Sequence, residues 1–185
     1  AVHPDSLALA FALPGGARLQ ADPVVAVTEG RARVALLYDG MLDLREGDGA
    51  VVDASTWPAE LPAGVAPDSM AWMIAWPEPG QTGDDRIAIV NERGRVSRVD
   101  ADGRVQELGN PLGETPIDEL VLADVDGDGA LDLVVTSDQR VHVLNEGGAP
   151  LRGFPVLISE LLIVLENEDD RFVRSPVVAD LDGDG

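Results

Sequence analysis

Short apolar runs, separated by turns rich in Gly, Asp and Pro, recur along the whole chain. The runs at residues 24–27, 33–38 and 86–90 are rich in Val, Ile and Leu, and none is long enough to read as an amphipathic helix. Asp39-Gly40 lies between two such runs, and this dipeptide favours a tight hairpin turn. The pattern predicts an all-β protein built from short strands.

The order of runs and turns repeats along the sequence. The segment that starts at Trp57-Pro58 resembles the one that starts at Asn110-Pro111, and a third start follows at Phe154-Pro155. Repeats of roughly 40–50 residues that contain only short strands are typical of β-propeller blades, which are four-stranded antiparallel sheets. We therefore predict a partial propeller over residues 1–185. Its approximate units are 1–55, 56–107, 108–152 and a truncated 153–185.

One stretch within this pattern carries recognisable chemistry. Four aspartates fall at positions 1, 3, 5 and 9 of a loop between the runs 120–123 and 133–136: Asp124, Asp126, Asp128 and Asp132. Carboxylates this close repel one another unless a cation neutralises them, and Ca²⁺ accepts six to eight oxygen ligands in flexible geometry. Gly127 and Gly129 allow the sharp bend, and the backbone carbonyl of Ala130 is a further candidate ligand.

The loop is not an EF-hand. That motif requires a bidentate Glu at position 12 and a helix on each side, whereas position 12 here is Val135 in a strand-like run. A second copy of the acidic pattern follows the run 176–179. It supplies three more candidate calcium ligands, which are Asp180, Asp182 and Asp184.

The pattern V-x-A-D-x-D-G-D-G-x-x-D-L-V-V resembles the FG-GAP/VCBS repeats of integrin-α-like β-propellers, closely across residues 119–155 and again at 175–185. The resemblance implies that the loop binds calcium on an outer hairpin of a blade, with Asp124, Asp126, Asp128 and Asp132 as side-chain ligands. The corresponding stretch of the preceding unit, residues 76–85, has two prolines and few acids. We expect that unit to have lost its metal.

Charge limits the classes of partner. The 34 acidic and 13 basic residues give a net charge of −21, and acidic residues still predominate without the loop aspartates. Such a field repels nucleic acid and anionic lipid, so neither is an expected partner. No apolar run reaches the ~20 residues of a membrane span, which argues against membrane insertion. Loops of this kind fill with calcium outside the cytosol, which indicates an extracellular, cell-surface or periplasmic location.

These observations favour a calcium-binding propeller module of an exported or cell-surface protein that binds a protein or polysaccharide. Other blades or chains are expected to complete the ring. Two alternatives remain open: the propeller domain of a secreted polysaccharide-degrading enzyme or peptidase, and an architectural spacer or filament subunit. An enzyme is the less favoured interpretation, because the sequence shows no evident set of catalytic residues. His142 is expected to face solvent or a neighbouring blade, and Trp57, Trp72 and Trp76 are interpreted as core residues rather than a sugar platform.

Overall fold

The computed structural model describes residues 13–77, 83–157 and 176–179, and in these ranges the regular structure is almost entirely β. A short 3₁₀ turn at Pro14–Gly16 precedes the first strand. The strands of this described part form three four-stranded sheets in which all pairing is antiparallel. This confirms the predicted all-β class and the four-stranded antiparallel sheets. Within the described ranges, no helix has the length and apolar character needed to cross a bilayer.

Each sheet is a meander in which strands that follow one another in sequence pair with one another. Sheet 1 contains β1 (Val24–Thr28), β2 (Arg31–Tyr38), β3 (Met41–Arg45) and β4 (Ala59–Glu60). Sheet 2 contains β5 (Ala71–Trp76), β6 (Arg86–Asn91), β7 (Val96–Val99) and β8 (Val105–Gly109). Sheet 3 contains β9 (Val121–Ala123), β10 (Asp132–Thr136), β11 (Arg140–Leu144) and β12 (Val156–Leu157).

Sheet 2 lies between the other two sheets and is apolar on both faces. Because successive side chains of a strand point to opposite faces, Ile87 and Ile89 contribute to the core shared with sheet 1, whereas Ala88 and Val90 contribute to the core shared with sheet 3. This explains why the central strand β6 reads as a continuous apolar run. The three sheets are therefore stacked face to face through two separate apolar cores.

The third connection of every sheet begins with the same turn. In each case a glycine with positive φ donates its N–H to the carbonyl of the residue three positions earlier: Gly49 to Glu46, Gly103 to Asp100 and Gly148 to Asn145, at 2.8, 3.0 and 2.8 Å. This recurrence shows that the sheets are structural repeats of one unit.

The hydrogen-bonded sheets end slightly beyond the unit boundaries expected from the sequence. Each expected boundary lies just before or within the last strand of a sheet, which is β4, β8 or β12. Pro58 and Pro155 directly precede β4 and β12, whereas Pro111 follows β8. Proline is tolerated on either side of an edge strand because it cannot donate a ladder hydrogen bond. The proline spacing therefore indicated a repeat but did not predict the residues at which each sheet begins and ends.

Alternating strand direction places the connections at two ends of the stack. The first and third connections of every sheet lie at one end, which we call the loop end, and the second connections and the links between sheets lie at the other. The acidic stretch 124–131 joins β9 to β10 and therefore lies at the loop end.

Candidate metal site

The acidic loop occupies the first hairpin of sheet 3. Asp132 begins β10 and pairs directly with Ala123 of β9, so the residues between them form a hairpin loop. Because β9 is an edge strand of the described sheet, the loop lies at the corner between that edge and the loop end. The sequence predicted this placement between two strands correctly.

Hydrogen bonds inside the loop curl the chain around Asp124. Its two carboxylate oxygens accept the N–H groups of Gly127 and Gly129, at 2.8 and 2.9 Å. Gly127 and Gly129 have φ values of 75° and 88°, a conformation in which side chains with a Cβ are strained. Both glycines are therefore required by the bend that brings their N–H groups back to one carboxylate.

Three carboxylates converge on one point. Asp124, Asp126 and Asp128 each place a carboxylate oxygen within 4.8 Å of the others, and all three side chains are exposed. One oxygen of Asp126 accepts the N–H of Asp128 at 3.2 Å, and one oxygen of Asp128 accepts the N–H of Ala130 at 2.8 Å. The second oxygen of Asp126 and that of Asp128 do not take part in these two backbone hydrogen bonds, so each could bind a cation.

Asp132 differs from the other three because it is only 2% exposed. It does not belong to the group whose oxygens lie within 4.8 Å of one another, and its Oδ2 accepts the N–H of Val125 at 2.9 Å. Burial raises the pKa of Asp132, and the Val125 N–H opposes that rise. The negative charges of Asp126, Asp128 and Asp124 raise this pKa further.

This donor set fits a hard divalent cation. The oxygens are carboxylate oxygens, which Ca²⁺ prefers, and the buried Asp132 carboxylate lies close enough to three like charges for them to perturb it. A bound cation would remove that repulsion. Ala130 lies in the same loop, and its N–H already bonds to Asp128. The second predicted set, Asp180, Asp182 and Asp184, lies outside the described residues.

In sheet 2 the connection equivalent to the acidic loop joins β5 to β6, and its aspartates form hydrogen bonds to the first hairpin of sheet 1. Asp85 lies at the end of the β5–β6 connection, and its Oδ2 accepts the N–H of Val27 in sheet 1 at 2.6 Å. The Asp85 N–H in turn donates to the Val27 carbonyl at 2.7 Å, and Asp84 accepts the N–H of Glu29. These aspartates therefore tie sheet 2 to sheet 1. Sequence reasoning missed this role, because the partners are more than 50 residues apart.

His142 is buried rather than exposed to solvent, with 3% of its surface accessible. Its Nε2 lies 3.3 Å from Ser137 Oγ and 3.5 Å from Glu114 Oε1. A serine-hydrolase triad needs the serine and the acid on opposite ring nitrogens, whereas here both face Nε2. Burial lowers the pKa of His142, Glu114 opposes this and Arg140 reinforces it. His142 lies in β11 and contacts Glu114 of the link between sheets 2 and 3, so the arrangement is that of a structural histidine.

Trp57 and Trp76 are core residues, as predicted. Trp57 is buried in the core between sheets 1 and 2, and Trp76 is buried in the core between sheets 2 and 3. Trp72 packs against the second core but remains partly exposed. Trp57 and Trp76 are thus unavailable as a sugar-stacking platform.

No family model matches this sequence, and no curated protein matches it. Among solved structures, the chain is similar to a protein of unknown function from Bacteroides caccae, whose crystal structure was determined at 1.35 Å resolution. The TM-score is 0.46 and the sequence identity is 17%, over 80% of this chain and 49% of that one. This chain thus spans about half the length of that protein, and the similarity does not bear on the site.

Proposed function

We propose that this chain is a calcium-binding β-propeller module of an exported or cell-surface protein, and that it binds a protein or polysaccharide. The observation that carries the proposal is the position of the convergent carboxylates Asp124, Asp126 and Asp128 on the first hairpin of one of three stacked four-stranded meanders. The repeated sheets, the loop and its glycines all agree with the resemblance to FG-GAP/VCBS repeats.

Two features support a ring with further blades. Each described sheet packs its apolar face on the next, which is how propeller blades bury their faces. Val25 and Val27 of β1 lie on the face of sheet 1 that points away from sheet 2, and both are exposed. A further blade would cover such a face.

In this proposal the metal has a structural role. Asp124, Asp126 and Asp128 would hold Ca²⁺ at the exposed rim of the loop, and Asp132 would supply a buried negative charge beneath it. The cation supplies positive charge that neutralises the crowded carboxylates. The β9–β10 hairpin is thereby fixed, and so is the edge of the sheet to which it belongs. Calcium of the extracellular range would fill such a loop, which supports an exported location.

Calorimetric titration of the EDTA-treated chain with Ca²⁺ tests the proposal. We expect binding, and a higher melting temperature in calcium, because a ligand that binds only the folded loop adds about 2.7 kcal/mol of stability at 100 times its Kd. The variant Asp126→Asn should lose most of both effects. The matched control Asp138→Asn, an exposed acid in the β10–β11 turn at the opposite end, should retain them. Equal melting temperatures in EDTA and calcium would refute calcium binding.

A further inference from the structure

A groove crosses the edge of the stack where the chain enters the first strand of each sheet. It has a volume of about 650 Å³. Its lining comes from all three repeats and consists of residues 19–24, residues 69–74, Glu119 and Leu120. We call it the first-strand groove. It is separate from the acidic loop, since these residues lie toward the starts of β1, β5 and β9 and the loop follows the end of β9.

The first-strand groove is apolar and open. Leu19 is 40% exposed and Met70 is 51% exposed, although both are large apolar side chains. Trp72 and Ile74, on the sheet-3 face of β5, are partly exposed in the same groove. Contiguous exposed apolar surface of this kind marks sites of interaction.

The wall of the groove is held rigidly by Gln20. Its side-chain amide donates to the Pro67 carbonyl at 3.0 Å and accepts the Gly40 N–H at 2.8 Å. Its backbone N–H donates to Leu37, and its carbonyl accepts the Ala71 N–H at 2.7 Å. A wall fixed by four hydrogen bonds is preorganised, which reduces the entropy that binding would cost.

The shape of the groove favours an extended occupant. Stacked sheets lie about 10 Å apart, so a groove that touches three of them is at most about 20 Å long. An extended chain covers that distance with about six residues at roughly 3.3 Å each. A strand-like peptide can also place alternate side chains against Leu19, Met70 and Trp72.

The negative charge of the groove favours basic extended peptides over acidic ones. Asp22 and Glu119 line it, and among the described residues its lining includes no arginine. The chain as a whole carries a net charge of −21, which attracts cations at long range. A peptide with Lys or Arg beside its apolar side chains is therefore complementary, and an acidic peptide is repelled.

We infer that the first-strand groove binds an extended segment of a partner protein in which apolar side chains alternate with Lys or Arg. The inference rests on the proposed binding function and specifies its partner, but it does not depend on calcium. The apolar side chains would pack against Met70 and Leu19, and the cations would lie near Asp22 and Glu119.

The test uses fluorescein-labelled synthetic peptides in which Val and Ile alternate with Lys, and matched peptides in which every Lys is replaced by Glu. Fluorescence anisotropy with the full chain should show saturable binding of the basic peptide and at least about tenfold weaker binding of the acidic one.

Met70→Asp should weaken binding of the basic peptide by about tenfold or more. Val177→Asp is the matched control, because Val177 is a 91% exposed apolar residue outside the groove, and it should bind like wild type. Asp22→Lys combined with Glu119→Lys should reverse the charge preference.

Several outcomes would overturn the inference. Equal binding of basic and acidic peptides would refute the charge argument, and equal weakening by Met70→Asp and Val177→Asp would refute the location. Displacement of the basic peptide by dextran would assign the groove to a neutral polysaccharide instead. Parallel calcium titrations separate the two proposals, since a chain that binds calcium but no peptide refutes only the groove. Circular dichroism of each variant establishes that it is folded.

Discussion

Gly148, in the third connection of sheet 3, lies directly against Leu108 on the last strand of sheet 2. A Cβ placed on Gly148 would lie 2.6 Å from Leu108 Cβ and 3.1 Å from the Leu108 carbonyl oxygen. Gly103 makes the equivalent approach one repeat earlier, where a Cβ would lie 2.9 Å from Thr56 Cγ2 in the third connection of sheet 1. The repeated turn therefore packs sheet 2 against sheet 1 and sheet 3 against sheet 2.

Gly148→Ala should be strongly destabilising for this reason. The substitution places a side chain at a φ of 80° and forces it into Leu108, and together these effects should lower the free energy of unfolding by about 2–4 kcal/mol. Urea denaturation measures the loss. Gly109→Ala is the control, because Gly109 also has positive φ but no atom within 4 Å of its Cβ position, and it should lose only about 1–2 kcal/mol. Equal losses in the two variants would show that the contact with Leu108 contributes nothing.

Asp132→Asn should have opposite effects with and without calcium. In EDTA the variant removes a buried charge that the loop aspartates repel, so its stability should equal or exceed that of wild type. In calcium it removes a negative charge from the cation's surroundings, so its Kd should rise by at least about tenfold. Urea denaturation in both conditions, with calorimetric titration, measures the two effects. A variant destabilised equally in EDTA and calcium would show that Asp132 serves packing alone.

Acidification should destabilise the fold through His142. Burial holds its pKa below the ordinary value of 6.5, so the unfolded chain takes up the proton first. The stability from the neutral form is complete above pH 6.5 and declines as pH falls below that value toward the folded-state pKa. The slope contributed by one proton is at most about 1.4 kcal/mol per pH unit.

The variant His142→Asn isolates this effect. Wild type and variant are compared by urea denaturation between neutral pH and mildly acidic pH, in a buffer of constant ionic strength. The stability of wild type relative to the variant should decline as the pH falls below 6.5. A pH-independent difference would mean that His142 does not titrate on unfolding.

Glu146 should contribute a modest, salt-dependent link between sheets 2 and 3. Its carboxylate accepts hydrogen bonds from Arg98 at 2.8 Å and from Arg86, and it is 41% exposed. Solvent screening limits the contribution, so Glu146→Gln should cost about 0.5–1 kcal/mol at low salt and less at high salt. Asp102→Asn is the control, because the pair of Asp102 and Arg104 is 3.8 Å apart and highly exposed. Thermal melts at two ionic strengths test this, and a salt-independent loss would contradict a mainly ionic role.

The site predictions that succeeded concern residues close together in sequence. The spacing of Asp124, Asp126 and Asp128 was enough to predict that their carboxylates converge, because a loop of a few residues bent at two glycines has few alternatives. Calcium binding itself stays a prediction. The position of Asp132 at the start of a strand was also predicted, but its burial, with 2% of its surface exposed, was not.

The sequence by itself determined the strands, the turns and the loop, because alternation of apolar residues and the special conformations of glycine act over a few residues. Only the tertiary structure decided which faces meet. It buried His142 beside Glu114, paired Asp85 with Val27, packed Gly148 against Leu108 and brought residues at or just before the first strands of the three sheets into one groove. These contacts join residues far apart in the chain. They depend on how whole sheets stack, and that stacking reflects the combined burial of many side chains rather than any local pattern.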